Sequence, residues 1–281
     1  MNQRLGSARR GAKRSGSVCR DLHPARLLEL CRTARLARSI VLLDTAPSTN
    51  AASLSSGAAG APEGLVFVAE AQTHGRGRKG RTWFAGRGTG LAFSLLLRPK
   101  RAEHGLTALF ALAAVRALHR TAPGIGIKWP NDLYLRGRKV GGILAEARDG
   151  LVVIGMGLNV NERREDFPAE IADEAISLRI AVGRELDRGR ILSRILESFE
   201  RLYERFEREG VGAFRAEIES VLLFRGDEVR VEVGDGELRG RILGLTEEAY
   251  LRLAVGGAER VLSSGDVTVR RSKRGIGSRA R

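Results

Sequence analysis

The stretch GRGRKGR, Gly75 to Arg81, packs four cations and three glycines into seven residues, and its glycines spell G-x-G-x-x-G. A dinucleotide-binding α/β fold requires a strand before such glycines, a helix after them and an acidic residue about 20 positions further on. GLVFVAEAQ (64–72) supplies the strand. RTWFAGRGTG (81–90) holds three more glycines and runs into another apolar segment, so no helix follows, and no acid lies between Ala85 and Arg98. The fingerprint therefore fails for want of context. What is left is a glycine backbone that a ligand can approach closely and four cations that cannot pack together unless an anion joins them. The loop reads as an anion cradle, mobile when empty and ordered by a carboxylate or phosphate.

Outward from this loop, SIVLLD (39–44), GLVFVAEAQ and GLAFSLLLRP (90–99) read as strands, and TAPSTN (45–50) as the turn that leaves the first. Helices are expected at 24–38, at 105–121 and, most clearly, at 188–208, where Ile191, Ile195, Phe199, Leu202 and Phe206 form one stripe. A strand at 124–130, a hairpin-like segment at 133–147 and LVVIGMGLNVN (151–161) lie between the last two helices. Antiparallel pairings beside a few helices predict an α+β fold built on a mixed sheet. After residue 222 the pattern changes to short alternating strands separated by glycine turns, which predicts a small β-barrel. The expected divisions are 1–39, a basic extension with one short helix; 40–221, the main domain; 222–270, the barrel; and 271–281, a basic tail.

The formal charge of +15 raises nucleic acid as a partner, but its placement argues against that. Residues 1–40 carry ten Lys/Arg against two acids, and 270–281 carry six cations and no acid, so the body between is nearly neutral. Solvated tails are the reading. No apolar run is long enough to span a bilayer, and Cys19 and Cys31 stand apart from any C-x-x-C spacing, so a reducing, cytoplasmic setting is expected.

A second constellation is KWPNDLYLRGRKVGGILAE (128–146). Pro130 stiffens a bend, and Asn131 and Asp132 offer an amide and a carboxylate at a strand end, suited to Mg²⁺ and phosphates. Lys139 is a point charge fit to sit beside a developing anion. The pair Gly141-Gly142 permits close approach of a ligand or a second backbone.

Together with STN (48–50), EAQTHGRGRKGRTW (70–83), LAFSLLLRP (91–99) and GMGLNVN (155–161), these segments resemble the biotin protein ligases in order and spacing across about 40–270. The resemblance is to the monofunctional type, since 39 residues before the first strand are too few for the N-terminal DNA-binding domain of the bifunctional type. It implies an SH3-like C-terminal domain and an ATP-dependent ligase that turns biotin into biotinyl-5′-AMP and transfers it to a lysine of a biotin carboxyl carrier protein. ATP, biotin and Mg²⁺ are the implied small molecules, and homodimerisation is left open.

By family pattern, Ser48, Thr49, Asn50 and Gln72 would bind biotin, with Arg76, Gly77 and Arg78 clamping the intermediate and Lys139 neutralising charge at the carboxylate and α-phosphate. Arg76 and Lys139 would be the catalytic pair. Arg78, Arg81, Trp83, Asn131 and Asn159 would hold the nucleotide, and Asn131 and Asp132 the metal. His74 and Lys79 take no implied role, and FAGRGTG (84–90) lacks the proline often found there. Two alternatives are a lipoate or octanoate transferring ligase of related fold, and a nucleic-acid-binding regulator that uses the basic tails.

Overall fold

The computed structural model describes residues 20–100 and 105–269. Cys19 and the most basic stretches, 1–19 and 270–281, lie outside the described residues, and with them the tail reading. The first sheet has seven strands: β1 (Ser39–Leu43), β2 (Leu65–Ala69), β3 (Leu91–Leu97), β4 (Gly126–Lys128), β5 (Asp132–Leu135), β6 (Arg138–Arg148) and β7 (Leu151–Leu158). Their spatial order is β1-β2-β3-β7-β6-β5-β4. Only β1 and β2 run parallel; the other neighbours are antiparallel. The α+β expectation holds.

Every residue of β3 is buried because both sheet faces are covered. On one face lie α3 (Leu106–Leu118) and α5 (Arg188–Glu209), joined to the sheet by a run of rings: Phe93 to Phe110 at 6.1 Å, Phe110 to Phe199 at 4.8 Å and Phe199 to Tyr203 at 5.4 Å. The expected stripe of α5 is buried throughout, and Asp187 caps the helix by accepting from the Arg190 amide at 2.9 Å. On the other face lies α2 (Thr49–Ala58), over a small cluster of Leu96, Leu151 and Val153. Gly57 lets it come close, since a Cβ there would stand 2.8 Å from Leu96 Cδ1.

Two expectations need correction. The segment 45–50 is not only a turn: α2 begins at Thr49. The helix expected over 24–38 ends early, α1 covering Pro24–Leu30 only. Beyond it the backbone amides of Ala34, Arg35 and Leu36 donate to the carboxylate of Glu200 at 2.7–2.8 Å, an anchor that replaces the helical ladder.

Short helices α4 (Leu178–Val182) and α6 (Arg215–Ser220) flank α5. The C-terminal strands β8 (Glu228–Val233), β9 (Gly236–Leu245), β10 (Leu251–Val255), β11 (Ala258–Leu262) and β12 (Asp266–Val269) form a second, antiparallel sheet in the linear order β11-β10-β9-β8-β12. No helix among the described residues is long and apolar enough to cross a membrane.

Candidate functional site

The face of the first sheet that carries α2 also carries an opening. Antiparallel pairing sets Gly142 opposite Gly157 and Leu144 opposite Gly155, so β6 and β7 present bare backbone toward that face. This is the physical content of the two glycine motifs: alternate residues share a face, and glycine there leaves room. The room is filled by functional side chains. A Cβ on Gly155 would lie 1.9 Å from Asn50 Oδ1, and one on Gly157 would lie 2.1 Å from the Trp83 indole. The cavity above this floor measures about 450 Å³.

Every site residue singled out from sequence lines it: Ser48, Thr49, Asn50, Gln72, Arg76, Gly77, Arg78, Arg81, Trp83, Asn131, Asp132, Lys139 and Asn159. At one end the N-terminus of α2 builds a floor of hydroxyls and amides. Ser48 stands at the N-cap position, yet its hydroxyl makes no cap bond; Gln72 takes that role, its Oε1 accepting from the Thr49 amide at 2.8 Å. Ser94 Oγ lies 2.7 Å from Thr49 Oγ1 and donates to Asn50 Oδ1 at 2.6 Å, while Asn50 Nδ2 donates to Glu146 Oε2 at 2.7 Å.

At the other end lies the cationic loop. It folds back on itself, with Gly77 N donating to Arg81 O at 2.7 Å and Trp83 N to Gly75 O at 2.9 Å, around a 3-10 turn at Arg78–Gly80. The anions that its charges demand are protein carboxylates. Arg78, Lys79 and Arg81 all pair with Asp266 of β12, and Arg76 pairs with Glu146 of β6 at 3.5 Å. Burial works to raise the Asp266 carboxyl, but the Lys79 hydrogen bond and the charges of Arg81, Lys79 and Arg78 outweigh it and hold the group below the usual carboxylate range. Arg78 also donates to Asn131 Oδ1 at 3.3 Å, and Asn131 Nδ2 to Ile143 O at 2.8 Å.

Lys139 Nζ sits between these ends, 2.8 Å from Asp132 Oδ1 and 5.6 Å from the centroid of the Trp83 ring. Asn159 is more structural than its place in the lining suggests, because its amide donates to the carbonyl oxygens of Ile176 and Lys139 at 3.2 and 3.5 Å. Ser94, Glu146, Lys79 and Asp266 were not anticipated as site residues. Ser94 left a local signal as the one polar residue in an otherwise apolar strand, and Lys79 left one as a cation of the loop.

Past Trp83 and Phe84 the chain forms a strap, 86–90, laid over Glu162. That side chain is fully buried, and both its carboxylate oxygens lack a hydrogen-bond partner. Gly86 and Gly90 make its space, a Cβ on Gly90 coming within 2.7 Å of Glu162 Oε1. The missing proline thus belongs to a segment whose glycines accommodate a buried acid.

The floor gives a first prediction. Gly157→Ala is expected to cost about 1–3 kcal/mol, as overpacked sites do, and to push the Trp83 indole out of the cavity wall. A lower melting temperature with red-shifted tryptophan emission checks this; an unchanged spectrum would mean that the indole does not rest on Gly157.

The sequence profile of the biotin/lipoate A/B protein ligase family matches residues 43–161. The chain is 37% identical over 230 residues to the biotin--[acetyl-CoA-carboxylase] ligase of Mycobacterium tuberculosis, covering 78% of this chain and 85% of that protein. It is 38% identical over 217 residues to the bifunctional ligase/repressor BirA of Bacillus subtilis, covering 74% of this chain and spanning 66% of that relative's length. The structure of the Aquifex aeolicus biotin protein ligase in complex with biotin and ATP superposes with a TM-score of 0.73 at 33% identity, covering 84% of this chain and all of that one. With sequence, topology and cavity in agreement, the chain belongs to the biotin/lipoate A/B protein ligase family.

Proposed function

We propose that this chain is an ATP-dependent biotin protein ligase. One observation carries the reading: a single cavity joins a hydroxyl and amide floor, fit for a ureido ring and a carboxylate, to a cluster of cations fit for phosphates. The relatives named above, one of them solved with biotin and ATP, support the same chemistry. In the first step the biotin carboxylate attacks the α-phosphate of ATP, giving biotinyl-5′-AMP and releasing pyrophosphate. In the second, the amine of an acceptor lysine attacks the mixed anhydride, forming an amide and releasing AMP.

Ser48, Thr49, Asn50 and Gln72 hold biotin in this reading, and Arg76, Gly77 and Arg78 close over the intermediate. Lys139 faces the developing charge at the carboxylate and α-phosphate. Arg78, Arg81, Trp83, Asn131 and Asn159 hold the nucleotide, with the Trp83 ring against adenine. Magnesium fits as an ion carried mainly by the phosphates. Among the described residues no three His, Cys, Asp or Glu gather into a metal group, while Asp132 lines the cavity with a buried Oδ1 whose charge partner is Lys139 at 2.8 Å. When bound, the ion screens the phosphate charge.

Residues 40–221 serve as the catalytic domain and 222–270 as the SH3-like domain that lends Asp266 to the loop. The acceptor is a biotin carboxyl carrier protein or domain. Incubation with biotin, MgATP and such a domain is expected to add one biotin mass to a single lysine. A stronger yield with lipoate or octanoate in a competition assay would shift the reading to the other branch of the family, and no transfer of any of the three would refute ligase activity.

A further inference from the structure

Three of the loop's cations turn to Asp266, but Arg76 turns the other way, to Glu146. Glu146 stands on β6 outside the cavity lining and has two tasks. Its Oε2 accepts from Asn50 Nδ2 at 2.7 Å, and its Oε1 is 3.5 Å from Arg76 Nη1. From there a polar chain runs through Asn50, Ser94 and Thr49 to Gln72, three residues before the loop begins. The loop is therefore tied to the floor on both sides, at Gln72 before it and at Arg76 within it.

We propose that Glu146 is a positioning residue that fixes Arg76 over the amide floor, so that closure of the cationic loop is coupled to Asn50. The chemistry at Asn50 explains why a carboxylate is used. Asn50 Oδ1 takes the Ser94 hydroxyl, and a flipped amide would turn that oxygen toward Leu144 O and the Glu146 carboxylate, acceptor against acceptor. A neutral acceptor satisfies Asn50 equally well, and the Leu144 carbonyl already does so at 3.2 Å. The negative charge is needed only by Arg76, whose side chain is 49% exposed and is flanked by Gly75 and Gly77. On such a backbone a guanidinium without a partner samples many positions, and the carboxylate selects one. This role rests on the ligase reading where it concerns the intermediate, but not where it concerns the empty loop.

Glu146→Gln separates the two tasks, since the amide oxygen still accepts from Asn50 while the charge for Arg76 is lost. In the ligand-free protein, deuterium exchange at the amides of Gly77 and Trp83 is expected to quicken about two- to fivefold, the change that a partly exposed ion pair supports. Biotinyl-5′-AMP should escape faster by a similar factor, with the KM for biotin unchanged. In an Arg76→Gly background the Gln substitution should do nothing further. Unchanged exchange and release would overturn the proposal. So would equal acceleration in the Arg76→Gly background, which would place the action of Glu146 elsewhere, or slower release, which would make Glu146 a competitor of the ligand for Arg76. Should the parent form no biotinyl-5′-AMP, the ligase reading fails, and the exchange comparison alone still judges Glu146.

Discussion

Lys139→Ala is expected to slow pyrophosphate release by about 10²–10³-fold, the loss typical of removing one group that stabilises transition-state charge. The side chain is placed for that role rather than for packing: its ammonium is 2.8 Å from Asp132 and stands over the Trp83 ring. Truncation has a second consequence. Asp132 Oδ1 is buried and has no hydrogen bond, so without Lys139 its charge stands uncompensated. That raises the cost of the single substitution by about 1–3 kcal/mol of stability. Lys139→Ala with Asp132→Asn removes both charges, and should recover the melting temperature without recovering the rate. A double variant that regains near-parental pyrophosphate release would show that Lys139 acts only through Asp132 and has no part in adenylation.

The contrast between Lys139 and Asp266 shows what a sequence reveals. Lys139 stands out because a lysine before two glycines is a local pattern with a chemical use, and its side chain lines the cavity. The glycines of the loop were legible for the same reason, as was the failure of the dinucleotide fingerprint: in place of a helix the structure has only the 3-10 turn at Arg78–Gly80. Asp266 reaches Arg81 across 185 positions, and Glu146 reaches Asn50 across 96. Partners so distant leave no spacing to read. Helix α2 was missed on other grounds. Its sequence, TNAASLSSGA, carries no acid in the first turn and no base in the last, and it packs by small residues such as Gly57 rather than by an apolar stripe. Charge alone demands an anion among the loop's cations, and the protein supplies one, Asp266, from its own C-terminal sheet.

Glu162→Gln is expected to make the protein more stable at alkaline pH and to flatten its stability profile above about pH 5. Burial beneath the 86–90 strap pushes the Glu162 carboxyl up from its ordinary 4.5 to about 7. Asp166 adds to the rise, while nearby backbone amides and the Arg188 charge oppose it. Arg188 does little to relieve this, because its guanidinium is already bound to Asp21, Glu70 and the carbonyl of Gly90. The folded chain therefore holds a proton on Glu162 that the unfolded chain gives up near 4.5, and the associated stability is fully present below that value and lost as pH rises through about 7. A shift of this size corresponds to about 3 kcal/mol, on the order of several degrees in melting temperature for a chain of this length. The carboxylates held below their usual range, Asp187, Glu207 and Asp266 among them, act with the opposite sign and in a more acidic window, so they do not mask the effect. Glutamine keeps the shape and carries no charge at any pH. Melting temperatures of the two proteins should thus diverge up to about pH 7, with the parent falling and the variant level, and keep a constant gap from there to about pH 8.5. Equal slopes, or a variant less stable than the parent at the alkaline end, would mean that Glu162 is ionised and satisfied beneath the strap.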